Sequence, residues 1–348
     1  MDLALTDEQC QLVESFARLF ARESNCERVR SAEPTGFDPK LWAGLMEAGV
    51  LHMAVDEEAG GWGAGRVELA LVAEQFGRAL GSAPMVEAQV AVSVLRDCAR
   101  QGNEAAATAL ASALEADQLV TFAPRPSVRG RLGLVPGGAV ADAVVALVDD
   151  QLVFARLGDN RTVVSNLGAM PLADVDVPAD PAVIAQAPGA ARLFDRAIDC
   201  WLVLTSAALV GAAARALEIT VDYANQRKAF GTPIGAFQAV SHRLADSATA
   251  VDGARLLAYR AACADVDEPD RDSELAAMAF AFAYESARDV TQRGVHFHGG
   301  YGFTMEQDIQ LFYRRTRCWA NVFGAANVAL DRVAAKRYGT GGDLRSMG

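Results

Sequence analysis

The spacing of apolar residues divides the chain into three stretches. Residues 1–118 predict a helical domain. Thr6-Asp7-Glu8-Gln9 has the form of a capping box, in which Thr6 accepts from a backbone N–H and Gln9 reaches back. Leu12, Val13, Phe16, Leu19 and Phe20 follow at helical spacing. A second helix is expected from Asp38 through Leu41, Trp42, Leu45 and Met46 to Gly49, and another from Val67 with Leu69, Leu71, Val72 and Phe76. Between them, Glu57 to Gly65 is a glycine-rich loop whose turn chemistry is structural. Residues 119–190 change character. The β-branched runs 119–123, 143–148, 152–154 and 162–164 are split by Gly, Pro and Asp, as in a small antiparallel β-domain. Residues 191–338 predict a helical bundle, with helices over about 192–227, 237–264 and 273–293 and a final segment over 306–338. The helix at 237–264 is expected to pack with Leu244, Ala248, Val251, Leu256 and Leu257. Residues 339–348 are expected to form a mobile tail. The fold class is therefore mostly α with a small β-domain.

Composition narrows the partners. Apolar residues make up 51% and charged residues 22%, which places the chain among helix-rich globular proteins rather than disordered ones. Acidic residues outnumber basic ones by 44 to 32, a formal charge of −12, so neither nucleic acid nor an anionic membrane surface is an expected partner. The longest uncharged apolar run, Cys200 to Ala214, is too short to span a bilayer and reads as a buried helix. The six cysteines contain no Cys-x-x-Cys pair and the acidic first residues do not resemble a signal peptide; free thiols in a cytoplasmic setting are expected. No metal-ligand spacing accompanies His296 and His298. Ser241-His242 is no hydrolase pair, since adjacent helical residues point about 100° apart.

Two segments carry candidate chemistry. Residues 223–238 read Tyr-Ala-Asn-Gln-Arg-Lys-Ala-Phe-Gly-Thr-Pro-Ile-Gly-Ala-Phe-Gln. Arg227 offers a fork for a diphosphate, Phe230 a ring to cover an adenine, and Gln238 an amide to bond its edge. The same residues also suit a helix end with a surface Arg and a glycine cap. Some sixty residues on, 298–303 read His-Gly-Gly-Tyr-Gly-Phe, where glycines let backbone approach a ligand closely. Ordinary helix-end packing remains open for His298.

Together these segments, and the order helices, strands, helices, resemble the acyl-CoA dehydrogenase family over nearly the whole chain. The resemblance implies FAD as cofactor and an acyl-CoA thioester as substrate, dehydrogenated at its α and β carbons. It implies that Arg227, Phe230, Gln238, His296, Gly299 and Gly300 contact the ADP half of an FAD belonging to a neighbouring subunit. His296 stands where the family commonly has Gln. The family's catalytic carboxylate occupies one of two positions. Counting from Arg314-Arg315, the first falls on Phe323; the second, ten residues before Gly211, is Trp201. Asp199, about 200° around the helix from Trp201, is a weak substitute. The segment Thr121 to Ser127 also lacks the family's flavin-ring motif. This pattern resembles the shorter subunit of actinobacterial α2β2 acyl-CoA dehydrogenases, some of which act on steroid side-chain thioesters. The expected partner is then a second, catalytic acyl-CoA dehydrogenase subunit. Two alternatives are a homo-oligomeric enzyme with an unrecognised base and a non-enzymatic acyl-CoA-binding or scaffold member.

Overall fold

The computed structural model describes residues 5–339, so the tail expected at 339–348 lies, apart from Gly339, outside the described residues. Six helices come first: α1 (Asp7–Glu23), α2 (Cys26–Ala32), α3 (Pro39–Glu47), α4 (Arg66–Arg78), α5 (Met85–Arg100) and α6 (Glu104–Leu114). Seven strands follow: β1 (Val120–Phe122), β2 (Arg131–Val135), β3 (Ala143–Val148), β4 (Gln151–Arg156), β5 (Arg161–Val163), β6 (Ala173–Asp176) and β7 (Ala182–Ala185). Then come α7 (Gly189–Gln226), a hairpin of β8 (Lys228–Ala229) and β9 (Thr232–Pro233), α8 (Gln238–Asp267), α9 (Asp272–His298), α10 (Ile309–Asn321) and α11 (Ala325–Tyr338). The fold is mostly helical with a small β region, as the pattern of apolar residues implies.

The described residues form two compact units, one of 5–27, 70–81 and 202–339, the other of Arg28–Leu69 and Ser82–Trp201. In the first, the capping box closes α1: Thr6 N donates to Gln9 Oε1 at 3.0 Å and Gln9 N to Thr6 Oγ1 at 3.2 Å. Of the residues expected to bury α1, Phe16 and Phe20 do so, and they start an aromatic chain through Phe76 to Trp319, with ring centroids about 6 Å apart at each step, a spacing that favours aromatic pairs. The crossing of α4 and α7 is tight because Gly211 has no side chain: a Cβ there would lie 1.9 Å from the Glu74 carbonyl oxygen. Glu74, buried on α4, is tied to α8 by Arg255 Nε at 3.0 Å and the Tyr259 hydroxyl at 2.8 Å.

Three expectations for this unit are corrected. The stripe that α8 buries consists mainly of alanines (Ala254, Ala258, Ala261, Ala262, Ala264), and Leu256 is 52% exposed. The single segment expected over 306–338 is two helices, broken where Gly324 (φ 110°) and Ala325 (φ 58°) take left-handed backbone. The helix expected at 273–293 runs on to His298.

In the second unit, β1-β3-β4-β7 and β2-β6-β5 form two sheets. Their pairings are antiparallel except β1 with β3, which run parallel. Leu132, Val135, Val144, Ala146, Ala155, Ala173 and Val175 fill the core, with Phe37 and Trp42 against it. Strands β2, β6 and β7 lack the dense β-branched runs that marked the others; cross-strand pairing supplies what local propensity does not. In the loop before α4, Gly61 sits where a Cβ would lie 2.0 Å from the Val55 carbonyl oxygen, so this glycine serves backbone packing.

Among the described residues α7 alone is long and apolar enough to cross a membrane, and 94% of its apolar window is buried, as in the core helix of a folded protein.

Candidate functional site

The hairpin after α7 is built to display Phe230. Ala229 pairs with Thr232, which leaves Phe230 and Gly231 as a two-residue turn, and both have positive φ (55° and 83°). That is the pattern of a type I′ hairpin, whose first central position normally favours Asn, Asp or Gly. A left-handed conformation costs a residue with a Cβ about 1–2 kcal/mol. Phe230 recovers little of this within the chain. Its ring is 99% exposed and meets only the Phe237 ring edge-on at 6.3 Å. An apolar ring held in solvent on strained backbone makes Phe230 a candidate contact for a ligand or a second chain.

Of the other residues singled out by sequence, Arg227 and Gln238 flank this hairpin, and His296, Gly299 and Gly300 lie at the end of α9. Arg227 leaves α7 with its backbone N–H on the Tyr223 carbonyl, and its carbonyl accepts from Ile234 across the hairpin. Its side chain is exposed, with no ion-pair or hydrogen-bond partner among the described residues. Gln238 is the exposed first residue of α8, and His296 is exposed in the last turn of α9. Gly299 has φ 63° and ψ −149°, a region open essentially to glycine alone. A Cβ on Gly299, Gly300 or Gly231 would meet nothing within 4 Å, so each presents bare backbone to open space.

Tyr223 and His298 bring the two motifs together. Their rings stack at 4.1 Å and 21°, joining the end of α7 to the end of α9. His298 Nδ1–H donates to the Gly294 carbonyl at 2.8 Å, and burial holds its pKa below the usual value near 6.5. His298 is therefore a neutral packing residue, the helix-end role left open for it. Ala239, next to Gln238, and His296 line one groove between α8 and α9. A cation, an exposed aromatic ring, an amide and unhindered backbone thus share one end of the bundle, the donor set that suits a nucleotide diphosphate.

The positions expected to carry a carboxylate are occupied differently. Trp201 is 1% exposed and donates from Nε1 to Glu87 Oε1 at 3.1 Å. Phe323 is half-buried and meets Phe280 edge-on at 5.9 Å. Asp199 is buried, 2% exposed. Thr121, at the start of the segment that lacks the flavin-ring motif, is fully buried with its hydroxyl on the Pro136 carbonyl.

Sequence reasoning missed Glu87. It lies 114 positions from Trp201, and nothing local marks it as the partner of that indole. Burial raises its pKa above the usual 4.5, against the smaller downward pull of a backbone hydrogen bond and of Trp201. The folded state keeps this proton where the unfolded chain has released it. The stability the group contributes is thus full below about pH 4.5 and falls as pH rises toward the raised value. Glu87→Gln is expected to flatten that part of the pH–stability curve, gaining on wild type between pH 4.5 and neutrality. Urea midpoints at the two pH values check this; an equal offset at both would rule it out.

The family model "Acyl-CoA dehydrogenase, N-terminal domain" matches residues 6–112, and "Acyl-CoA dehydrogenase, C-terminal domain" matches 203–337. The acyl-CoA dehydrogenase IpdE2 of Mycolicibacterium smegmatis is 31% identical over 340 residues, covering 96% of this chain and all of that one. The chain belongs to the acyl-CoA dehydrogenase family. Its fold is also that of the ChsE4–ChsE5 complex from Mycobacterium tuberculosis (24% identity, TM-score 0.86, covering 97% and 98% of the two chains). It is shared as well by PigA in its FAD complex (20% identity, TM-score 0.83, covering 98% and 100%).

Proposed function

We propose that this protein is the subunit of a hetero-oligomeric acyl-CoA dehydrogenase that grips the ADP half of FAD for a catalytic partner and brings no base of its own. The observation that carries the reading is Phe230, held in strained left-handed backbone with its ring 99% exposed. Such a ring has work only once a ligand and a second chain cover it. In this reading Phe230 covers the adenine, Arg227 holds the pyrophosphate, Gln238 and His296 bond the nucleotide, and Gly299 and Gly300 let backbone approach it. FAD would supply the two-electron acceptor: it would take the hydride from the β carbon of the acyl group while a base takes the α-proton.

The chain's own residues define what it leaves to the partner. An α-proton needs a positioned base, and losing one lowers the rate roughly 10²- to 10⁴-fold. Trp201 and Phe323 stand at the two expected positions and accept no proton. Asp199 is the remaining candidate nearby and is buried. Burial raises the pKa of Glu87 and so disfavours the carboxylate form a base needs, and its Oε1 already accepts from the Trp201 indole. The fold shared with the ChsE4–ChsE5 complex, an assembly of two differently named chains, supports a partner of the same family. The heterotetramers that the sequence resembles point to a steroid side-chain thioester as the acyl group.

Flavin content tests the proposal. The chain purified alone is expected to be colourless and without turnover. Co-expressed with a catalytic acyl-CoA dehydrogenase subunit, it is expected to co-purify as a yellow complex with about one FAD per pair. Turnover by the yellow lone protein would show that it carries its own base.

A further inference from the structure

The groove between α8 and α9, of about 430 Å³, contains two arginines that no sequence motif marked. Its volume lies in the range of small-ligand sites, roughly 300–1,000 Å³. Arg243 projects from α8; Arg293 and His296 sit three positions apart on one face of α9. Neither arginine is held by a close carboxylate. Arg243 reaches Asp246 only at 3.8 Å, with both side chains about 60% exposed, a pair too loose to fix it. Arg293 donates to the Ser247 hydroxyl at 3.1 Å, and that hydroxyl donates in turn to the Arg243 carbonyl at 2.8 Å. Ser247 is buried, so a neutral brace sets Arg293 at the level of Arg243 without consuming its charge. The one acid in the groove, Asp289, is already paired with Arg288 Nε at 3.0 Å. On a chain of net charge −12, two guanidinium groups, one only loosely paired with Asp246, and an imidazole make a local site for an anion. Ala239 in the groove wall directly follows Gln238, which places the groove beside the proposed nucleotide site.

We infer that Arg243 and Arg293, with His296, clamp a phosphate group of an ADP-bearing ligand in this groove. The inference rests on the nucleotide reading above and adds two binding residues to it. Two ligands of the reaction carry this chemistry, FAD through its ADP half and coenzyme A through its phosphorylated ADP.

The first arm titrates ADP and adenosine into the purified chain by calorimetry. ADP is expected to bind at least about tenfold more tightly than adenosine. The double variant R243A/R293A is expected to lose roughly tenfold or more of the ADP affinity while keeping the wild-type circular dichroism spectrum. Equal affinity for ADP and adenosine, or an unchanged ADP affinity in the double variant, overturns the clamp. The second arm places the double variant in the co-expressed complex. Loss of FAD at an unchanged KM for acyl-CoA assigns the clamp to FAD. Retained FAD with a raised KM assigns it to coenzyme A. If both stay at wild-type values while Arg227→Ala still strips the flavin, the clamp fails and the proposed function stands. If the wild-type complex holds no flavin at all, the proposed function fails, and the ADP titration alone decides the clamp.

Discussion

Trp201→Ala is expected to destabilise the protein by about 3–5 kcal/mol, the range for truncating a buried large aromatic residue. The side chain is 1% exposed and is the largest of the fully buried ones, so the cavity left behind has no route to solvent. A second contribution adds to the first. The indole N–H is the side-chain partner of Glu87 Oε1, and its removal leaves a buried carboxyl oxygen short of a hydrogen bond, at roughly 1–3 kcal/mol. Trp201→Phe separates the two effects, since it keeps most of the ring volume and loses only the donor. Urea or thermal unfolding reads both variants, with Trp201→Ala much the worse; equal effects would mean that the hydrogen bond and not the packing dominates. Phe323→Ala is the milder comparison, because Phe323 is only half-buried against Phe280. The same residues bear on function. If Trp201 and Phe323 have replaced a base, then Trp201→Glu and Phe323→Glu in the lone chain restore a carboxylate but not the flavin-ring contacts, and no turnover is expected. Turnover in either variant would mean that the strands around Thr121 hold the flavin after all.

How much of this was legible in the sequence follows the range of the interactions involved. The capping box at Thr6 and Gln9 is a contact three residues long, and it is present with both bonds. The fold class follows from periodicities that short windows contain. Helix α2 escaped because it is only seven residues long and buries only Val29 and Ala32. The break at Gly324 and Ala325 escaped because a single glycine marks it, and a left-handed Ala is fixed by packing rather than propensity. On α8 the leucines drew attention, whereas the packed stripe is alanine, which close helix packing favours and hydropathy underweights. The nucleotide motifs were visible as residue types at a fixed spacing. The strain at Phe230, the Tyr223–His298 stack and the bracing of Arg293 by Ser247 were not, because each depends on backbone geometry or on contacts across 46 to 75 positions. The Glu87–Trp201 pair reaches further still, with partners 114 positions apart on helices α5 and α7.

Arg227→Ala is expected to strip flavin from the complex. Truncating one member of a buried, hydrogen-bonded charge pair costs about 2–5 kcal/mol, so FAD affinity should fall by roughly 30-fold to several thousand-fold. The free protein holds Arg227 exposed and without a partner among the described residues, so the substitution breaks no contact within the chain and should leave its unfolding midpoint unchanged. That combination, intact folding with lost flavin, is what a surface helix-end arginine of purely structural role does not give. Arg227→Lys keeps the charge but loses the fork, and an intermediate FAD affinity is expected. Phe230→Gly tests the other side of the same site, since its two effects have opposite sign. Glycine relieves the left-handed strain and is expected to stabilise the isolated chain, while the complex loses its aromatic cover and binds FAD more weakly. Flavin absorbance after gel filtration reads retention, and thermal unfolding of the lone chain reads stability. Were Arg227→Ala to keep its flavin and Phe230→Gly to gain stability at no loss of FAD, the hairpin would be a surface turn and the ADP half of the cofactor would lie elsewhere.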